Sequence, residues 1–234
     1  MKIIEDKDKL NGFLDKFQLK TVLNDSILPH LSLCLFEPGE YICSEGDELT
    51  YLHVLVQGKV KVHTTSPEGK TLILSFISKL EVFGDVEYIQ RLKIMNTVES
   101  VSPTYMLRVH HKKLQQYTQE DVKFLQFMLD IITKKFHLKS TTMRFNLLYP
   151  VEVRLASYLL SITYDENDAL LHTQLSSSRL TDIANLIGTS YRHVNRVIQK
   201  FCEQGLTERS KNKVEIKDVK GLKKITGQSI YEPM

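Results

Sequence analysis

Residues 180–203 read LTDIANLIGTSYRHVNRVIQKFCE. Leu180, Ile183, Ala184 and Ile187 fall on one face of a short helix. Gly188 follows, where a tight corner between two helices needs a left-handed backbone. Ser190 stands at the N-cap of a second helix, whose apolar face is Val194, Val197, Ile198 and Phe201. Ala184 is small where the two helices have to cross. The opposite face of the second helix carries Tyr191, Arg192, Asn195, Arg196 and Lys200, with His193 beside them. This spacing predicts a helix-turn-helix whose second helix enters the DNA major groove by its N-terminal end. There an Arg fork donates to guanine O6 and N7, and an Asn amide pairs with adenine. The Ser190 hydroxyl and the helix N-terminus suit a phosphate, and so does His193.

Beyond this pair, Gly205 ends the second helix, and residues 207–217 (TERSKNKVEIK) read as a two-stranded wing. Arg209, Lys211 and Lys213 fall near its tip, where they would hold phosphates and make affinity salt-dependent. The charge distribution agrees. Of 234 residues, 31 are Lys or Arg and 28 Asp or Glu, a net charge of only +3. Residues 1–142 carry 18 of each sign, whereas residues 179–224 hold 11 basic and 5 acidic residues. A solvated basic face would give the same count. Together with the helix pattern, the excess is the footprint expected for an anionic polymer.

Toward the N-terminus, Pro150 breaks a helical stretch running from 119 to 148. After Pro150, Val153, Leu155, Ala156, Leu159 and Leu160 form an amphipathic helix, followed by the polar run Asp165-Glu166-Asn167-Asp168. Within the long helix, Val122, Leu125, Leu129, Ile132 and Phe136 step by three and four, a heptad seam. A second stripe runs through Phe124, Phe127, Met128 and Ile131. Two apolar faces imply two partners, here the preceding domain and a second copy of the chain; a core helix buried on both sides is the alternative. The seam stops after Phe136, where Lys139 follows.

Before residue 110 the pattern changes period. Glycines at 39, 46, 58, 69 and 84 punctuate short apolar runs at 31–36, 51–56, 59–64, 71–77 and 104–109. The turn Ser66-Pro67-Glu68-Gly69 joins two of them as a hairpin, and an antiparallel barrel or jelly roll over roughly 18–110 follows. Leu114 and Tyr117 suggest a short helix after it. The predicted chain is thus an α+β multidomain protein. Residues 1–118 form a sensory β-barrel, 119–148 a dimerisation helix, and 149–234 a winged helix-turn-helix.

Several classes are excluded. No 18-residue run lacks charge, which argues against a membrane span, and the N-terminus has no apolar signal segment. Three cysteines, Cys34, Cys43 and Cys202, suggest a reducing, cytoplasmic setting rather than a disulfide framework. No cofactor is expected, because three dispersed cysteines do not build an iron–sulfur cluster and none of the eight histidines has metal-ligand spacing. His110 and His111 are adjacent and are expected to point apart. Cys34 and Cys43 read either as a thiol switch or as two small buried hydrophobes. Gly69-Lys70-Thr71 resembles the end of a phosphate loop, but Thr64 stands where that loop needs glycine. With no nucleophile–base pair in view, no enzyme activity is expected.

Two motifs, in order, carry a family resemblance. The first is Gly39-x-x-Ile42-x-x-Glu45-Gly46-Asp47, with Leu55-x-x-Gly58-x-Val60 and Phe83-Gly84-Asp85. The second runs from Gly188-x-Ser190 through Arg196. The chain resembles the CRP/FNR superfamily of bacterial transcription regulators over nearly its whole length. Gly84-Asp85-Val86-Glu87 and the run 190–193 are most similar to its YeiL branch. The resemblance implies a cyclic-nucleotide-binding-type jelly roll and a homodimer joined by the central helix. It also implies an inverted-repeat operator and contact with RNA polymerase. Base readers fall near Tyr191, Arg192 and Arg196, the first two departing from the residues many members carry. An effector pocket is implied at Phe83, Gly84, Asp85, Asn96 and Thr97. Nucleotide-binding members pair a Glu with the ribose and an Arg with the phosphate; here Asp85 is one methylene shorter and Asn96 cannot neutralise a phosphate. A different small effector, or none, is therefore expected. The competing class is a cyclic-nucleotide-gated module acting on a protein partner, which predicts no basic wing.

Overall fold

The computed structural model describes residues 1–69, 71–162, 174–176 (backbone), 180–211 and 213–227. Lys70, Arg179 and the polar run at 165–168 lie outside the described residues. The chain divides into two compact units, Met1–His137 and Leu138–Met234.

The first unit starts with β1 (Lys2–Ile4), α1 (Lys7–Lys16) and two short 3₁₀ turns. Nine elements follow: β2 (Ser32–Phe36), β3 (Tyr41–Cys43), β4 (Tyr51–Gln57), β5 (Val60–Thr65), β6 (Thr71–Ile77), β7 (Glu81–Phe83), α2 (Asp85–Gln90), β8 (Thr97–Ser100) and β9 (Thr104–His110). α3 (His111–Thr118) and α4 (Val122–Leu148) close it, α4 running across the boundary between the units. The strands form two antiparallel sheets, β1-β2-β9-β4-β7 and β3-β8-β5-β6, in a jelly roll.

Period-2 alternation sorts the side chains of the larger sheet. Cys34, Phe36, Leu55, Phe83 and Met106 turn inward and meet Ile42, Val60, Val62 and Val98 of the smaller sheet. Leu33, Leu52, Val54, Val56, Val82, Leu107 and Val109 turn outward, where Phe13, Leu14, Leu114, Phe124, Met128 and Ile131 of the helices cover them. A sheet buried on both faces explains why β4 reads as a nearly continuous apolar run. Each large side chain buried this way contributes about 1.5–3 kcal/mol.

The hairpin turn anticipated at 66–69 joins β5 to β6, with Thr65 opposite Thr71 and Gly69 at φ 78°. His110 and His111 behave differently from expectation. They span the junction between β9 and α3, neither strand nor helix continues through both, and their rings stack with centroids 4.9 Å apart.

The second unit contains α5 (Val151–Ser161), β10 (Gln174–Ser176), α6 (Leu180–Leu186), α7 (Tyr191–Glu203), β11 (Thr207–Ser210), β12 (Lys213–Ile216) and α8 (Val219–Thr226). One apolar layer joins Leu155, Leu159, Ile183, Ala184, Ile187, Val194, Ile198, Phe201, Val214 and Leu222. β12 is the centre of a three-stranded antiparallel sheet, β10-β12-β11. Among the described residues no helix is long and apolar enough to cross a membrane.

Gly58 tests the barrel. It turns β4 into β5 at φ 105°, and a Cβ there would lie 2.6 Å from the Pro103 carbonyl oxygen and 2.7 Å from Thr104 Cα. Those obstacles are backbone and cannot swing away. Gly58→Ala is expected to cost roughly 1–3 kcal/mol from the strained φ alone, read as a lower urea midpoint for the first unit.

Candidate nucleic-acid interface and effector pocket

The helix-turn-helix is held from three sides. Gly188 takes φ 65°, and the Arg154 guanidinium of α5 donates to the Ile187 carbonyl just before it. Ser190 caps α7 by accepting from the His193 N–H at 3.2 Å. Val194, Val197, Ile198 and Phe201 seat the helix in the core. Rotation of α7 is thereby fixed, and Ser190, Tyr191, Arg192, Arg196 and Lys200 are left exposed, with His193 and Asn195 half-buried between them.

Besides Ser190, three of these side chains already have partners: His193 Nδ1 lies 3.4 Å from Thr189 Oγ1, and Asn195 and Lys200 are engaged as well. Asn195 Nδ2 donates to the Tyr191 carbonyl at 3.0 Å, and its Oδ1 accepts from Arg209 of β11 at 2.7 Å. Arg209 therefore lies against α7 as well as on β11. Lys200 approaches Glu152 at 3.6 Å. Lys211 lies in the turn between β11 and β12, and Lys213 opens β12; both are exposed.

In the barrel, Phe83, Gly84 and Asp85 are buried where β7 passes into α2, with Gly84 at φ 86°. Asn96 and Thr97 are half-buried where β8 starts, and the two segments are linked by Glu87, whose carboxylate accepts from the Met95 N–H at 3.1 Å. Thr97 Oγ1 accepts from the Glu45 N–H at 3.1 Å. Asp85 is already paired: Lys135 of α4 reaches its Oδ2 at 2.9 Å, Glu81 at 3.3 Å, and the Val82 carbonyl. Burial raises the Glu81 pKa, and Lys135 partly offsets that rise. Sequence reading missed Lys135, because nothing in a single chain tells which barrel residues a distant helix will face.

Arg108 was missed too. It is half-buried on the same face of the sheet as Met106, beside His53, its guanidinium 4.3 Å from the Tyr51 ring centre. The signal was present in the alternation of TYMLRVH at 104–110, where Leu107 and Val109 turn outward. Cys34 and Cys43 both border the inner apolar layer. Burial pushes both thiols up, Cys43 to about 12 with Glu87 adding to the rise, so neither is a thiolate at neutral pH.

On α4 the two stripes part company. Phe124, Met128 and Ile131 are buried, whereas the seam is in water: Val122 is 73% exposed, Leu129 61% and Phe136 74%, with Leu125 exposed and Ile132 half-buried.

Two family models match the chain, a cyclic nucleotide-binding domain over residues 33–121 and a Crp-like helix-turn-helix domain over 153–225. The regulatory protein YeiL of Escherichia coli O157:H7 is 26% identical over 212 residues, covering 91% of this chain and 90% of that protein. The cAMP-activated global transcriptional regulator CRP of Haemophilus influenzae is 22% identical over 185 residues, covering 78% of this chain and 82% of its own. Among solved structures, a putative transcriptional regulator of the crp/fnr family from Eubacterium rectale superposes with a TM-score of 0.80 at 19% identity, over 92% of this chain and all of that one.

The barrel interior gives a pH prediction. Burial, aided by the neighbouring Arg108 charge, lowers the His53 pKa to about 4 from 6.5. A histidine depressed in the folded state stabilises above its unfolded pKa, and that contribution is lost as pH falls toward the folded value. Unfolding free energy should therefore drop by about 3 kcal/mol between pH 6.5 and 4 from this group. In urea titrations across that range, His53→Phe should show a flatter decline than the wild type.

Proposed function

The chain belongs to the CRP/FNR family of DNA-binding transcription regulators, and on that premise we propose that it acts as a cytoplasmic homodimer on an inverted-repeat operator. One observation carries the reading: α7 is anchored on one face by Val194, Val197, Ile198 and Phe201 and presents Arg192, Arg196 and Lys200 on the other. Arg196 and Arg192 read bases, Tyr191 and Asn195 line the same groove, and Ser190, His193 and Lys200 contact the backbone. Arg209, Lys211 and Lys213 hold flanking phosphates. The exposed seam of α4 supports the dimer, since apolar residues at heptad spacing in water need a matching partner. Met143, seven residues beyond Phe136, is exposed as well. In a symmetric dimer the recognition helices sit about 34–36 Å apart, one DNA turn.

The barrel tunes that spacing by a shift between two arrangements, driven by an unidentified small effector or set constitutively. A surface of the DNA-bound dimer then meets RNA polymerase.

Leu129→Glu combined with Phe136→Glu should convert the dimer to a folded monomer in sedimentation equilibrium, with unchanged circular dichroism. Arg196→Ala should cost about 1–3 kcal/mol, concentrated at one base pair of each half-site. Lys211→Ala and Lys213→Ala should weaken all sequences alike, each lowering the salt slope by about one. Both are read by fluorescence anisotropy on substituted operators. A footprint confined to one half-site without dyad symmetry overturns the dimeric reading, and no retention of random DNA at low salt overturns DNA binding.

A further inference from the structure

We propose that Asn195 is a positioning residue: it reads no base, and it holds the Arg209 guanidinium beside α7 to meet a DNA phosphate. This rests on the regulator reading above, and it gives Asn195 a different task from the adenine contact that an asparagine on this helix suggests. Strand alternation sets the geometry. β11 pairs with β12 so that Thr207 stands opposite Ile216 and Arg209 opposite Val214. Cross-strand partners share a face. Ile216 and Val214 belong to the apolar layer that also holds Val194, Val197, Ile198 and Phe201 of α7. Arg209 is therefore directed toward the helices, although its side chain is exposed. Glu208 and Glu215 stand opposite each other on the other face, where Lys217 reaches them at 2.7 and 3.2 Å. The acids of the wing are thus engaged by a different cation.

On α7 the Asn195 amide is committed at both ends. Its Oδ1 accepts from Arg209 Nη1 at 2.7 Å, and its Nδ2 donates to the Tyr191 carbonyl, one turn earlier, at 3.0 Å. A bidentate adenine contact needs a donor and an acceptor of the same amide pointing out into the groove. Here one bond turns the amide back along the helix and the other turns it toward β11. Arg209 keeps most of its capacity. A guanidinium carries a planar fork of N–H donors, and a single Nη serves Asn195. The others suit the oxygens of a phosphate. A helix lying in the major groove has sugar–phosphate backbone along its flanks. A cation held at that flank meets the backbone next to the bases that Arg192 and Arg196 reach. A long exposed side chain loses rotamer freedom when it docks, and one already tethered to the helix loses less. Wing and helix then arrive at DNA as one piece, with Asn195 acting through Arg209.

The test is fluorescence anisotropy of the full chain on a duplex that the wild type selects from a random pool, and on versions of it substituted at each A·T pair. Asn195→Ala should weaken all of these duplexes alike, by about tenfold, the scale of one hydrogen bond to a charged group. In an Arg209→Ala background the same substitution should change affinity by less than about twofold, the non-additivity of two residues that act as one. Arg209→Ala should lower the salt slope by about 0.9, the share of one phosphate. A loss confined to one A·T pair makes Asn195 a base reader and overturns the proposal. So does a loss equally large in the Arg209→Ala background, or no loss at all. Should Asn195→Ala not fold, the side-chain amide resonances of Asn195 in the DNA-free protein are the readout. They should move on Arg209→Ala and stand still on Lys211→Ala; resonances that ignore Arg209→Ala overturn the proposal. A wild type that retains no random duplex at low salt overturns the regulator reading and this proposal with it. A wild type that binds DNA while the two substitutions add independently overturns this proposal alone.

Discussion

Burial of Phe124, Met128 and Ile131 against the outer face of the five-stranded sheet fixes the rotation of α4. At 3.6 residues per turn, choosing which stripe packs on the sheet also chooses which stripe stays in water. Val122, Leu125, Leu129 and Phe136 are left out for that reason. Lys135 is brought round to the turn between β7 and α2 by the same rotation. The outward-facing residues of β4 and β9 thus determine what the helix offers elsewhere.

Charge is handled in two contrasting ways around the large sheet. Where β7 passes into α2, Asp85 is buried and Glu81 half-buried, and Lys135 answers both, as carboxylates withdrawn from water require. Arg108 on β9 is half-buried, rests on the Tyr51 ring and has only its Nε shut away from solvent without a partner.

Much of this was legible in the sequence. Long strands announced themselves by alternation and by glycines at turns, and β5 and β6 lie almost where the pattern put them. Gly188, Ser190 and the apolar face of α7 encode the helix-turn-helix locally, which is why that segment could be read first. β1, β3, β7 and β8 escaped notice because strands of three or four residues are too short to show a period. Lys135 and Asn195 illustrate a different limit. Each is an ordinary polar residue on a helix face, and its partner stands far along the chain or on the neighbouring wing. Arg108 was within reach, since its inward direction follows from counting two residues on from Met106.

The Lys135 contacts bear on how α4 responds to force. One ammonium group with three protons serves three acceptors, all within residues 81–85. These acceptors span only the turn from β7 into α2, so a single residue of α4 ties the helix to the one place where sheet and short helix meet. A displacement of α4 along its axis is therefore felt first at that turn.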